Sequence, residues 1–187
     1  MKQVKVITAQ EAALLVKDND VVASNGFVGS VQPEALTSAL EARFLETGAP
    51  RDLTLIYAAS QGNSDGRGGD HFAHEGMLKK AILGHWNAVT ALQKLVNANK
   101  IQAYNLPQGT LAQYFRDVAA HRVGTITHLG LETFADPRVS GGRLNDVTTD
   151  DFVKVIQIDG KDQLFYQRMD INVALIRGTY AAAWGNV

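Results

Sequence analysis

The segment 101–119 constrains the fold of this chain more than any other. An apolar run at 101–104 is followed by residues that repeat apolar side chains at the spacing of one buried helical face, which predicts a strand and then a helix. Pro107 disfavours helical backbone angles at the residue before it, and Gly109 frees the backbone where the helix begins. Many such turns only start a helix. In open α/β sheets, however, ligands bind at this corner, so Gln108 is a candidate functional residue.

The composition describes one ordinary globular domain. The chain has 187 residues, 45% hydrophobic and 20% charged, which allows a sizeable core. Its 18 basic and 19 acidic side chains give no electrostatic footprint for nucleic acid or an acidic membrane surface. The absence of cysteine excludes disulfides and thiolate metal sites. Without a signal-peptide pattern or a long apolar run, we expect a cytoplasmic protein that binds neither membrane nor nucleic acid.

Strand and helix patterns alternate along most of the chain. Thr8 and Glu11 form a capping-box pattern before the first helix, and Pro33 suits the start of the second. Asp159-Gly160 lies between two strand patterns, which is a hairpin signal. We predict strands at 21–24, 51–58, 101–104, 123–131 and 172–178, and helices at 9–18, 33–44, 74–82, 88–99 and 110–121. The fold class is therefore α/β, a three-layer α/β/α domain with a mostly parallel sheet and a C-terminal hairpin.

The turn after the first strand, residues 25–29, supports two interpretations. It is either a structural turn or the border of a binding site. Gly26 and Gly29 alone supply neither the dinucleotide fingerprint nor the Gly-Lys-Ser/Thr ending of a phosphate loop. The polar segment 60–70 is expected to form a rim of the cleft, because long loops in small domains are usually functional or mobile.

His71, His74 and Glu75 raise the possibility of a metal site, since imidazole and carboxylate are common zinc ligands. The two histidines lie three residues apart, and the spacing places no further ligand beside them. We therefore expect no metal.

Arg138 and Arg143 lie in the predicted loop 132–145. They either pin the loop through ion pairs or bind an anion. Pinning is the more frequent use of such arginines.

Five segments resemble the family I coenzyme A transferases, above all the single-chain acetate, propionate and acetoacetate type. They are Tyr-Asn-Leu-Pro-Gln-Gly-Thr-Leu at 104–111, Gly-Phe-x₅-Pro-Glu-x-Leu at 26–36, Ala-His-Glu-Gly-x-Leu at 73–78, Thr-Phe-x-Asp-Pro-Arg at 133–138 and Gly-Gly-x-Leu-Asn at 141–145. The resemblance covers about residues 9–187 and only the first part of such an enzyme. It implies that residues 1–187 are one amino-terminal, α-type domain of a CoA-transferase.

The resemblance also implies a mechanism and a set of site residues. In this family, a glutamate of the second part attacks acyl-CoA and carries CoA as a thioester, with CoA as a substrate and no cofactor. None of the six glutamates of this chain matches that nucleophile. Gln108 is implied as the catalytic residue of this part, a donor to the oxyanion or to the glutamate. The implied substrate-binding residues are Asn25, Gly26, Phe27, Gly29, Asn105, Pro107 and Gly109.

One departure from the family pattern concerns the last residues. Ala182 stands where the family usually has an aspartate, and the chain ends before the second part. We expect a truncated product that is inactive alone, has an exposed apolar face, forms a homo-oligomer and needs a second half or β-type chain. Two alternatives stay open. One is another enzyme of the superfamily, an acyl-carrier lyase subunit or a sugar-phosphate isomerase, and the other is a non-catalytic regulatory domain.

Overall fold

A computed structural model describes residues 4–187. Its central sheet consists of parallel strands, which require crossover connections. In spatial order they are β4 (Gln102–Asn105), β3 (Leu78–Leu83), β2 (Leu53–Tyr57), β1 (Val21–Ser24) and β8 (Val173–Leu175).

Three helices cover one face of this sheet. They are α1 (Ala9–Ala13), α2 (Glu34–Thr47) and α3 (Thr90–Asn97). The capping box of α1 is present, since the Glu11 N–H donates to Thr8 Oγ1 (3.1 Å) and the Thr8 N–H donates to Glu11 Oε2 (2.8 Å). Among residues 4–187, the helices lack the length and hydropathy that a membrane span requires.

The opposite face is covered by one helix and a small antiparallel sheet. The helix is α4 (Gln108–Ala119), and the sheet contains β5 (Gly124–Thr127), β7 (Lys161–Gln167) and β6 (Val153–Ile158) in that spatial order. The side chains of β2 point alternately into two cores on opposite faces of the sheet. Leu55 and Tyr57 face α1–α3, whereas Ile56 faces α4. The predicted α/β layers, the parallel sheet and the hairpin about Asp159-Gly160 are confirmed.

The predicted helix at 74–82 is wrong. A 3₁₀ helix spans Gly68–Phe72, and the apolar run after it forms β3 in the middle of the sheet. Ala81, Ile82 and Leu83 are all fully buried, on alternating faces, as in a strand covered on both sides. A short apolar run fits either element, and here the position in the sheet decides it. The strands predicted at 123–131 and 172–178 are shorter than expected.

Candidate functional site

The carboxyl ends of four parallel strands meet at one edge of the sheet. The register aligns Ala23, Ile56, Ile82 and Tyr104, so the residues that follow β1, β2, β3 and β4 lie side by side. Two segments singled out from the sequence lie at this edge. They are the amino-terminal turn (residues 25–29) and the Pro-Gln-Gly turn (residues 105–109).

Gln108 is the first residue of α4 and is exposed. Pro107 precedes it with extended backbone angles, φ −58° and ψ 128°. The Gln108 side chain lies over Gly84, where a Cβ atom would come 2.7 Å from Gln108 Cγ and 1.9 Å from the Ala58 carbonyl oxygen. Within residues 4–187 the Gln108 amide makes no hydrogen bond, so both N–H groups of Nε2 are free to donate.

Asn105 and Gly109 flank this position with different roles. The Asn105 N–H donates to the Gly142 carbonyl (2.8 Å), and Asn105 Oδ1 is buried without a hydrogen-bond partner in the described chain. Gly109 lies in the first turn of α4, has no positive φ, and has no atom within 4 Å of an added Cβ. Neither backbone conformation nor space therefore requires glycine at 109.

Asn25 ties the end of β1 to the residues after β8. Its Oδ1 accepts a hydrogen bond from the Arg177 N–H (2.9 Å), and its Nδ2 donates to the Arg177 carbonyl (3.1 Å). Both functions of the side-chain amide are thus occupied within the protein. Asn25 forms a fixed part of the wall of the site, a role that its position in the sequence does not reveal.

The rest of the amino-terminal turn is more open. Gly26 has φ +144°, and a Cβ there would lie 3.0 Å from Gln32 Cα, so glycine is required. Phe27 is 63% exposed, and Gly29 is exposed with no atom within 4 Å of an added Cβ.

An apolar groove of about 600 Å³ separates the end of the sheet from α4. Asn25, Gly26 and Ala58 line one wall, and Phe115 lines the other, but Phe27 and Gly29 do not line it. Gln108 is seven residues before Phe115 and on the same helical face, so it stands at the end of the groove. Asn25 and Gly26 therefore line the groove, whereas Gln108 lies beyond its end, beside Gly84.

The predicted rim segment holds the amino-terminal turn in place. The Val28 N–H donates to the Ser60 carbonyl (2.6 Å), and the Gly62 N–H donates to the Val28 carbonyl (3.0 Å). The buried Gln61 amide donates to the Ser24 carbonyl (2.9 Å) and accepts from Ser24 Oγ (2.8 Å). Segment 60–70 thus fixes the wall of the groove.

The histidines near this rim bind carboxylates. His71 contacts Glu34 and Glu41, and His74 also contacts Glu41. Among residues 4–187, no three His, Asp or Glu side chains are arranged to hold a metal ion. The sequence did not identify Glu34 and Glu41 as partners, although their seven-residue spacing places both on one helical face.

The loop 132–145 covers the outer edge of β4. The Leu144 N–H donates to the Ala103 carbonyl (3.0 Å), next to the bond from Asn105 to Gly142. Asp136 fixes this loop, since it is 1% exposed and accepts hydrogen bonds from the Glu132 N–H (2.9 Å) and from Arg138 Nη2 (2.8 Å). The Arg138 hydrogen bonds hold the pKa of Asp136 far below its usual range.

Both arginines of this loop pin it through ion pairs. Arg138 also contacts Asp162 (2.7 Å), and Arg143 contacts Asp151 (2.6 Å). The pinning alternative is confirmed for both residues.

A parallel α/β sheet with a Pro-Gln-Gly turn at its carboxyl edge, beside an apolar groove, is the arrangement of an α/β domain that binds its ligand at that edge. The family model described as "Coenzyme A transferase" matches residues 6–187, and the chain belongs to this family.

The relatives agree with this assignment. The chain is 39% identical to the caffeate CoA-transferase of Acetobacterium woodii over 98% of its own length and 35% of the relative. It is 38% identical to the acetate CoA-transferase YdiF of Escherichia coli K12 over 95% of its length and 34% of the relative. The apoenzyme structure of YdiF from E. coli O157:H7 superposes with a TM-score of 0.88 over 92% of this chain and 34% of YdiF, at 38% identity.

The chain thus spans about a third of the length of these relatives. A shorter relative, the alpha subunit of an E. coli K12 acetate CoA-transferase, is 27% identical over 98% of this chain and 74% of the subunit. The chain therefore corresponds to the amino-terminal, α-subunit-like part of the family.

Proposed function

We propose that this chain is the α-type part of an enzyme that transfers CoA between a short-chain acyl-CoA and a carboxylate of the acetate, propionate and acetoacetate class. The observation that carries the proposal is the free Gln108 amide at the end of an apolar groove. The relatives named for acetate and caffeate support a carboxylate as the acceptor. The acyl group would lie in the groove.

The second part of the enzyme would supply the nucleophilic glutamate. Its carboxylate attacks the thioester carbonyl, and the C–S bond of the tetrahedral intermediate breaks, so that CoA leaves as a thiolate and an acyl-glutamyl anhydride remains. The thiolate then attacks the glutamyl carbonyl, which releases the first carboxylate and leaves a glutamyl-CoA thioester. An incoming carboxylate repeats the two steps in reverse order, so a new acyl-CoA forms and the glutamate is regenerated. CoA is a substrate, and no cofactor takes part.

The residues of this chain would make that relay possible. A carboxylate is a weak nucleophile, so the tetrahedral oxyanion needs donors that are already in place. The two N–H groups of Gln108 Nε2 meet this need, or they orient the glutamate itself. Asn105 and Pro107 would fix the corner that presents Gln108, and Gly109 leaves open space beside it. Asn25 and Gly26 form the groove wall, with Phe27 and Gly29 facing the incoming substrate.

The same proposal includes the partners and the location. The second half, on the same polypeptide or on a β-type chain, would complete the site from the open side of the groove. We place the enzyme in the cytoplasm as a homo-oligomer that binds neither nucleic acid nor membrane.

The test uses the chain together with its second half. We expect exchange of CoA between acyl-CoA and acetate or propionate, and a CoA adduct on a glutamate of the second half by mass spectrometry. Gln108→Ala should lower kcat by about 10²–10³, the effect of losing one oxyanion donor. Gln113→Ala, on another face of the same helix, should leave kcat unchanged. A folded, complete protein without exchange would refute the proposal.

A further inference from the structure

Four side chains form a chain of hydrogen bonds behind the amino-terminal turn. Glu34 and Glu41 project from α2, and His71 lies in the 3₁₀ helix Gly68–Phe72. His71 Nε2 is 2.8 Å from Glu34 Oε1, and His71 Nδ1 is 2.6 Å from Glu41 Oε2. His74 Nε2 is 2.6 Å from the other oxygen of Glu41. The His71 side chain is only 10% exposed, so water does not replace these partners.

The geometry favours a doubly protonated His71. A neutral imidazole has one N–H, so one of its nitrogens would face a carboxylate with a lone pair. His71 has a carboxylate oxygen at each nitrogen and must donate to both. His74 contacts a carboxylate through one nitrogen only.

The charges around His71 favour the same state. Burial lowers the pKa of His71, but the hydrogen bonds and charges of Glu34 and Glu41 outweigh it and raise the pKa above its ordinary 6.5. Burial raises the pKa of the neighbouring Asp70 and outweighs its hydrogen bonds from the Leu92 and Ala91 N–H groups and the charges of His71 and Lys94, which lower it. His74 is the remaining titratable group in contact with this cluster.

Glu34 transmits the position of His71 to the rim of the groove. Its other oxygen, Oε2, accepts the Gly68 N–H (3.0 Å) and the Gln32 amide (3.2 Å). The next residue, Gly69, donates its N–H to the Gln61 carbonyl (2.8 Å). Gln61 in turn holds Ser24, directly before the amino-terminal turn. An uninterrupted path therefore connects His71 to this wall.

We infer that His71 is a positioning residue, whose doubly protonated ring fixes Glu34 and, through segment 61–69, holds the amino-terminal turn in its groove-lining shape. The shape of this wall then depends on pH. The inference rests on the proposed function only where it treats this turn as a wall of the acyl site. The effect of His71 on the amino-terminal turn can be tested without measuring enzyme activity.

The deciding experiment is a histidine NMR titration of the 187-residue chain. At low pH, both ring nitrogens of His71 should show the chemical shifts of protonated nitrogen. As pH rises, the loss of one proton should shift the backbone amides of Gly26 and Val28 with the same midpoint. A His71 that is neutral at pH 6, or a titration that leaves those two amides unmoved, overturns the inference.

Variants separate positioning from simple stability. His71→Gln should abolish the pH-dependent shifts of Gly26 and Val28, whereas His74→Gln, which still donates one N–H to Glu41, should retain them. The exposed His128→Gln is the control. If His71→Gln does not fold, the titration of the unmodified chain still decides.

In the complete enzyme, His71→Gln should raise KM for acyl-CoA by about three- to tenfold, as for one lost hydrogen bond, with kcat nearly unchanged. It should also flatten the pH profile of KM. A three- to tenfold fall in kcat, with the pH profile of KM unchanged, would contradict a positioning role for His71. If no transferase activity exists at all, the proposed function fails, and the NMR result still decides this inference.

Discussion

The two turns at the carboxyl edge of the sheet are held by opposite chemistry. The amino-terminal turn depends on segment 60–70, which ends at the protonated His71 between two carboxylates. The Pro-Gln-Gly turn depends on the loop 132–145, which is organised around the buried, ionised Asp136. The support of the amino-terminal turn requires a protonated His71, and the support of the Pro-Gln-Gly turn requires a deprotonated Asp136.

The two turns therefore respond to pH in opposite directions. The folded pKa of Asp136 is depressed, so its stabilisation is complete above the unfolded pKa of about 4 and is lost as pH falls through the folded value. The folded pKa of His71 is raised, so its stabilisation is complete below about 6.5 and is lost as pH rises through the folded value. Both supports are complete together between these limits.

The largest effect is expected when the support of the Pro-Gln-Gly turn is removed. Asp136→Ala leaves the N–H groups of Glu132 and Arg138 without their acceptor. We expect the free energy of unfolding to fall by about 2–4 kcal/mol in urea denaturation.

The control is Asp162→Ala, which removes the other partner of Arg138. The Asp162 side chain is 35% exposed, so the loss should be much smaller than for Asp136→Ala. Equal losses for the two variants would show that Asp136 does not organise the loop.

A smaller and more local effect is expected at the other wall. Gln61→Ala leaves buried groups of Ser24 unpaired, at a cost of about 1–3 kcal/mol. Amide hydrogen exchange of Val28 and Gly62 should accelerate, whereas that of Asn105 should not. The exposed Gln157→Ala should change none of these rates. Faster exchange at Asn105 as well would mean that the two turns are not held independently.

The smallest effect is the pH dependence of the unmodified chain, because one proton at a time is involved. Between pH 6 and 9, the protection of the Val28 amide, corrected for its intrinsic exchange rate, should decrease while that of Asn105 holds. Below pH 4 the protection of the Asn105 amide should decrease as pH falls toward the folded pKa of Asp136. Hydrogen exchange followed by NMR measures both, with His71→Gln as the control for the alkaline side. If both amides lose protection together, the contrast between the walls is refuted.

Local sequence patterns predicted most of the fold. The strand, turn and helix at 101–119, the capping box at Thr8 and the Asp159-Gly160 hairpin each depend on neighbouring residues, and all are present. The helix predicted at 74–82 was wrong because the apolar run of this segment suits a helix or a strand equally. Its burial on both faces of the sheet, which no local pattern contains, makes it a strand.

The candidate site was predictable only where its residues are close in sequence. Pro107 and Gly109 indicated the corner at Gln108. The contact of Gln108 with Gly84 was not predictable, because Gly84 follows β3 whereas Gln108 follows β4, in a different part of the chain. The contacts of His71 with α2 span 30 and 37 residues. The bond from Asn25 to Arg177 spans 152 residues, so no local pattern shows that this side chain is held by the residues after β8.

The place of β1 between β2 and β8 also determines when the sheet can be completed during synthesis. The Val21 N–H donates to Asn172 Oδ1, and these residues are 151 positions apart. At ~5–20 residues per second, the ribosome needs roughly 8–30 s to make the intervening chain. Throughout that time one edge of β1 has no native partner, and unpaired strand edges invite pairing with other chains. During that time β1 is exposed to misassociation along this edge, although it lies between two strands in the finished sheet.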